Sequence, residues 1–114
     1  MRISQPTPEL PVKNVLEAQE YYRDHLGFKT EWYHHEGRIG AVSHGDCALF
    51  FRENDGPLHP SVFWVFVDDV DFAHAELQSL GADIIEPVEE KPWGLRQFTI
   101  RDLYGNRFHF HHDI

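Results

Sequence analysis

Apolar and polar residues alternate along most of the chain, which predicts strands, whereas two stretches repeat their apolar residues at helical spacing. The first helix is expected after Asn14, which is followed three residues later by Glu17 in the pattern of an N-terminal cap, and it should end before Gly27. The second is expected between Asp69 and Gly81. Period-two alternation predicts eight strands, around residues 10–12, 28–35, 38–43, 47–52, 61–67, 83–88, 97–101 and 107–111.

The order of strand, helix and three strands occurs twice, and the two halves also match in sequence. Val12 and Asn14 correspond to Val67 and Asp69, each pair being 55 residues apart. Such internal similarity is typical of a duplicated structural unit. The sequence therefore predicts an α+β fold of two βαβββ modules, residues 1–54 and 61–114, within a single domain of residues 1–114.

The C-terminal stretch carries the most specific local pattern. It opens with Pro-Trp-Gly at residues 92–94 and continues as a hairpin whose turn is Asp-Leu-Tyr-Gly-Asn at residues 102–106. An aspartate can accept a hydrogen bond from the backbone two residues on, and the glycine supplies the positive φ that closes such a turn. In the last strand, alternation places Phe108 and His109 on opposite faces, so one face should pack and the other should line a cleft.

These features resemble the C-terminal part of bleomycin resistance proteins, because Pro-Trp-Gly precedes a strand and Arg-Asp-Leu-Tyr-Gly-Asn at residues 101–106 precedes the last strand. That family belongs to the vicinal oxygen chelate superfamily, together with glyoxalase I and the extradiol dioxygenases. The resemblance covers nearly the whole chain, since the superfamily is built from βαβββ modules. It implies a curved mixed sheet with helices outside and an inner cleft. It also implies a homodimer with its clefts at the subunit interface and its first strand exchanged.

The resemblance also indicates where a metal would be held. The superfamily's ligands are His or Glu, five residues before the valine that precedes each helix and four residues after the turn glycine of each module's last hairpin. The residues at those positions are Thr7, Val62, Leu49 and His109. Only His109 ligates a divalent metal well, and a catalytic site needs about three protein ligands. We therefore expect no metal, no cofactor and no catalytic residue.

Aromatic residues are the candidates for binding a ligand in the expected cleft. The predicted ligand-binding residues are Trp32, Phe63, Trp64, Trp93, Gly94 and His109. Alternation allows only one of Phe63 and Trp64 to face the cleft, and Trp64 shares the face of Val62 on what should be a central strand. Trp93 lies between a stiff Pro92 and a permissive glycine, where it can stack on a flat ligand or pack as a lid on a dimer partner.

Charge and composition narrow the class of partner. The formal net charge is −9 at pH 7, so nucleic acid is an unfavourable partner and cationic ligands are attracted. No apolar run approaches the roughly 20 residues of a membrane span. The single cysteine, Cys47, lies in an apolar run and excludes an internal disulfide. We expect a cytoplasmic protein with no nucleic-acid or membrane partner.

Together these patterns predict non-catalytic binding of a cationic aromatic small molecule. The resemblance to bleomycin resistance proteins implies that this molecule is an antibiotic of the bleomycin type, sequestered by a homodimer that confers resistance. Sequestration needs only affinity, so it is compatible with the missing metal ligands. Two alternatives remain open at this point. One is a metal-dependent enzyme of the glyoxalase or dioxygenase type, and the other is a binding module for a different metabolite.

Overall fold

The structure, a computed structural model, describes residues 1–114 and divides into two compact units, Met1–His59 and Pro60–Ile114. Each unit contains one mixed four-stranded sheet and one helix packed on a single face of that sheet. The α+β architecture of two βαβββ modules is therefore confirmed.

The first module follows the predicted order of one strand, one helix and three strands. Its elements are β1 (Glu9–Val12), α1 (Val15–Leu26), β2 (Lys29–His34), β3 (Ile39–His44) and β4 (Cys47–Glu53). The strands lie in the order β1-β4-β3-β2, with β1 parallel to β4 and the other pairs antiparallel. The proline-rich first strand pairs with β4 of its own chain, and Phe50 N–H donates to the Pro8 carbonyl at 3.0 Å.

The second module repeats this arrangement. Its elements are β5 (Val62–Phe66), α2 (Val70–Ser79), β6 (Asp83–Glu90), β7 (Leu95–Arg101) and β8 (Arg107–Asp113). The strands lie in the order β5-β8-β7-β6, with β5 parallel to β8 and the other pairs antiparallel. Strand β5 was expected to be central, but it lies at the edge of this four-stranded sheet. Strand β6 continues through Glu90, two residues beyond the strand predicted over residues 83–88.

Helix α1 forms where its caps and apolar spacing predict it. The Asn14 side chain accepts a hydrogen bond from Glu17 N–H at 2.9 Å, and Gly27 adopts a left-handed φ of 74° at the other end. The helix approaches the sheet closely at Gly40, where an added Cβ would lie 2.5 Å from Val15 Cγ1. Only glycine fits there, so the packing of helix on sheet depends on the absence of a side chain.

Helix α2 begins in the same way, because the Asp69 side chain accepts from Phe72 N–H at 3.1 Å. The helix covers one face of the second sheet, where Phe98 and Phe108 are buried and His74 lies edge-on to the Phe98 ring at 5.1 Å. Phe63 belongs to this face, since its ring stacks on Phe108 with centroids 5.2 Å apart. Because side chains alternate along strands, residues next to these in sequence face the other way.

The last strands of the two modules correspond with a shift of one residue from the alignment expected from the sequence. His109 pairs with Trp64, three residues before Val67, and Phe50 pairs with Glu9, three residues before Val12. Phe50 is therefore the counterpart of His109, and the assignment of Leu49 to that position was wrong.

The cause of this error is the length of the two hairpin turns. The turn before β4 has two residues between the paired His44 and Cys47, whereas the turn before β8 has five residues between Arg101 and Arg107. Leu49 is 2% exposed and belongs to the buried core of the first module. Neither Leu49 nor Phe50 carries a metal-ligating group.

Candidate ligand-binding face

One row of side chains crosses the second sheet on the side away from α2. Trp64 on β5 pairs with His109 on β8, His109 pairs with Thr99 on β7, and Thr99 pairs with Glu86 on β6. We call this side of the sheet, with these four residues at its centre, the Trp64 face. It combines an indole, an imidazole, a hydroxyl and a carboxylate in one line.

Trp64 is held by its neighbour and still presents much of its surface. Its ring lies 4.4 Å from the His109 ring, centroid to centroid, at an interplanar angle of 35°. The residue is 52% exposed. Val62 and Phe66, on the same side of the same strand, are also exposed. A run of exposed apolar side chains on one strand marks an interaction surface more often than an ordinary solvated face.

One ring nitrogen of His109 is hydrogen-bonded within the module. Its Nδ1 lies 2.6 Å from Thr99 Oγ1, and Thr99 Oγ1 in turn lies 3.4 Å from Glu86 Oε2. Burial lowers the pKa of the imidazole below its ordinary value, against an attraction to Glu86 that raises it. His109 is therefore neutral near pH 7, and such a ring offers one N–H donor and one acceptor.

The loop between β6 and β7 carries the second candidate indole. Trp93 is 60% exposed, and its Nε1–H donates to Gln97 Oε1 at 2.9 Å. Lys91 Nζ lies 5.8 Å from the Trp93 ring centroid and 2.7 Å from Glu89 Oε2. A cation of the protein itself thus already approaches the ring. Gly94 has a φ of 86°, as expected for the residue that turns the chain after Trp93.

The predicted ligand-binding residues do not all lie on one surface. Trp64 and His109 are in contact, and Trp93 is linked to the same sheet through Gln97. Phe63 lies on the helix side of the sheet, away from Trp64. Trp32 belongs to the first module, where it is 44% exposed and its ring lies 5.2 Å from the Phe50 ring.

Three polar residues around this face were not singled out from the sequence, namely Glu86, Gln97 and Thr99. The alternation of β7 contains the signal for two of them, because Gln97 and Thr99 share a face two residues apart. Glu86 had no such signal. Strand β6 advances by two residues from Ile84 to Glu86 while its partner advances by one, and this bulge turns Glu86 toward Thr99.

The chain has neither a cluster of metal ligands nor a membrane-spanning helix. No group of three or more His, Cys, Asp or Glu side chains is arranged to hold a metal ion. Of the superfamily's four ligand positions, Val62 and His109 share the Trp64 face, and of these only His109 carries a ligating atom. Neither helix has the length and hydropathy needed to cross a membrane.

Comparison with solved structures gives extensive similarity in fold. TioX from Micromonospora sp. ML1 shares 26% identity with a TM-score of 0.81, over 97% of this chain and 100% of that one. The bleomycin-binding protein of Streptomyces verticillus, complexed with copper(II)-bleomycin, shares 24% identity with a TM-score of 0.78, over 96% of both chains. A bleomycin-binding protein complexed with bleomycin shares 20% identity with a TM-score of 0.82, over 98% of this chain and 100% of that one.

No curated protein sequence matches the chain. The family model for the Glyoxalase/Bleomycin resistance protein/Dioxygenase superfamily matches residues 3–110, which is nearly the full length. The repeated βαβββ order and the Arg-Asp-Leu-Tyr-Gly-Asn turn at residues 101–106 agree with that match. The chain belongs to the Glyoxalase/Bleomycin resistance protein/Dioxygenase superfamily.

Proposed function

We propose that the protein binds and sequesters a flat, cationic small molecule of the bleomycin type, and that it does so without a chemical step. The observation that carries this proposal is the half-exposed Trp64 indole, fixed against His109 in a row that ends at Glu86. A planar group can stack on the indole while its positive charge is attracted by the carboxylate.

The magnitudes favour a cationic aromatic ligand over a neutral aliphatic one. A cation over an indole gains about 0.5–2 kcal/mol, and more when water is excluded. Burial of indole area adds roughly 25 cal/mol per Å². The net charge of −9 increases the local concentration of cations and repels anions. His109, being neutral, adds no repulsion toward a cation.

The relatives support the same class of ligand. Two solved structures with this fold are bleomycin-binding proteins, and both are complexes with the drug. At 24% and 20% identity they share the fold with this chain. We therefore assign a ligand of the same type to this protein because of the side chains on its Trp64 face.

We also propose that the protein acts as a cytoplasmic homodimer that confers antibiotic resistance by holding the drug. Support for the dimer comes from β5, an edge strand on which Val62, Trp64 and Phe66 are all exposed. An exposed apolar edge strand favours association. A second subunit would cover part of this surface and enclose the ligand beside Trp64.

The proposal is tested by calorimetric titration of chelator-treated, tag-free protein with metal-free bleomycin. Saturable binding that weakens as salt rises from low to physiological concentration is expected, because salt screens the attraction between a cation and a protein of net charge −9. Sedimentation of the same sample at micromolar concentration should give a dimer. A planar anionic dye of similar size serves as the matched control and should not bind.

Two results would overturn parts of this proposal. If bleomycin gives no heat of binding with a protein that is folded and dimeric, the ligand is a different metabolite. If the protein sediments as a monomer and still binds the drug tightly, the dimer is not required for the site.

A further inference from the structure

Thr99 connects His109 to Glu86 in a position closed to solvent. The residue is 0% exposed, and its hydroxyl lies within 2.6 Å of His109 Nδ1 and 3.4 Å of Glu86 Oε2. The other imidazole nitrogen, Nε2, makes no hydrogen bond within the chain. The direction of the hydrogen bonds in this chain of three groups therefore decides what Nε2 offers to a ligand.

Counting protons gives that direction. A threonine hydroxyl has one proton to donate, and an ionised carboxylate only accepts. If Thr99 donates to Glu86, then His109 must donate its Nδ1–H to Thr99 Oγ1. In the reverse arrangement, the hydroxyl donates to Nδ1 and its lone pairs face the Glu86 oxygen with no proton between them. Two acceptors that face each other across this partly buried contact are unfavourable.

Resting on the proposed function, we infer that Thr99 and Glu86 hold His109 as its Nδ1–H tautomer and thereby select ligands that carry an N–H donor beside their flat ring. In this tautomer Nε2 bears a lone pair and accepts a hydrogen bond. The ligand group that meets it beside Trp64 is an amine, amide or amidinium. Thr99 and Glu86 act as positioning residues, because their hydrogen bonds reach the ligand only through His109, and Glu86 adds to this the longer-range attraction of its charge.

This arrangement also explains what the face should reject. A ligand that presents a carboxylate, ether or carbonyl oxygen to Nε2 would bring two lone pairs together and lose a hydrogen bond it makes in water. Unpaired polar groups discriminate strongly between otherwise similar ligands. Selection for a donor therefore adds to the general attraction of cations by the net charge of −9.

The test is the imidazole nitrogen spectrum of His109 in the ligand-free protein at pH 7, from long-range proton–nitrogen correlation. In wild type, Nδ1 is expected to have the shift of a protonated nitrogen and Nε2 that of an unprotonated one. In Glu86→Gln, the amide can donate to Thr99 Oγ1 and reverse the chain, so the Nε2–H tautomer should increase. Thr99→Val removes the bridge and should also shift the populations toward Nε2–H. A wild-type spectrum of the Nε2–H form overturns the inference.

Measurements of bleomycin affinity in two variants distinguish a failure of this inference from a failure of the proposed function. Glu86→Gln should weaken bleomycin binding by about tenfold, the effect expected for roughly 1.4 kcal/mol. Glu90→Gln removes the same charge from the end of the same strand and should change affinity by less than about twofold, which is typical of an exposed charge. Equal losses in the two variants would contradict a role for Glu86 through His109. If wild type has the Nδ1–H form and does not bind bleomycin, only the proposed ligand is wrong.

Discussion

Replacing Trp64 with alanine should weaken the binding of bleomycin by about thirtyfold, which corresponds to about 2 kcal/mol. The indole supplies both the stacking surface and the cation–π attraction, and alanine supplies neither. Loss of the indole also frees the His109 ring, which lies 4.4 Å away and is positioned partly by this contact. Calorimetric titration of both proteins under identical salt conditions measures the difference.

The stability of the Trp64→Ala variant should change much less than its affinity. Trp64 is half exposed on an edge strand, so its removal leaves no large cavity in the core. We expect a loss of about 1 kcal/mol or less in the free energy of unfolding, as for other partly exposed positions. A variant that is folded but binds bleomycin weakly would show that the Trp64 indole contributes to ligand binding and not to folding.

Two further variants serve as controls for the Trp64 result. Trp93→Ala should lower affinity by a smaller factor, because Lys91 already approaches that ring and the indole N–H is bonded to Gln97. Phe72→Ala removes an exposed aromatic side chain from α2, away from the Trp64 face, and should leave affinity unchanged. Equal losses in the Trp64 and Phe72 variants would show that the effect is not local to the proposed site.

Replacing Asn106 with alanine should destabilise the second module by about 2–4 kcal/mol, because buried hydrogen-bonding groups lose their partners. The Asn106 side chain is almost fully buried, accepts from Ser61 N–H at 2.9 Å and donates to Asp102 Oδ2 at 2.9 Å. It thereby ties the start of β5 to the turn before β8. Asp102 Oδ1 also accepts from the backbone N–H groups of Tyr104 and Asn106.

Asp46→Ala is the matched control, since Asp46 holds the corresponding place after the turn glycine of the first module. Asp46 is exposed and makes no side-chain hydrogen bond, so a change within about 0.5 kcal/mol is expected. Urea unfolding followed by far-UV circular dichroism gives both values. If the two variants unfold at the same urea concentration, the buried hydrogen bonds of the Arg-Asp-Leu-Tyr-Gly-Asn turn do not stabilise the module.

Local physical rules were sufficient to predict the elements of the fold. Asn14 and Asp69 mark the two helix starts because a side-chain oxygen at that position satisfies a backbone N–H that the helix leaves unpaired. Alternation likewise placed Trp64 on the face of Val62 and away from Phe63. Each of these inferences depends only on neighbours within one element.

The features that could not be predicted depend on pairing between elements. Leu49 was assigned to the wrong face because the two hairpin turns differ in length, which the glycine alignment did not reveal. The bulge in β6 turns Glu86 onto the Trp64 face. A bulge is a shift in the pairing of two strands, so the apolar pattern of one strand alone does not reveal it. The approach of Lys91 to Trp93 depends on a long, flexible side chain that no periodicity describes.

The most direct test of binding at the Trp64 face is a proton–nitrogen NMR titration of the wild-type protein with metal-free bleomycin, followed through the indole N–H signals. The chain has three tryptophans, and the Trp64 signal is assigned by its absence from the Trp64→Phe variant. The Trp64 signal should show the largest shift, saturating with the calorimetric affinity, and Trp93 should shift less. Saturable drug binding that leaves the Trp64 signal unmoved would contradict the proposed site.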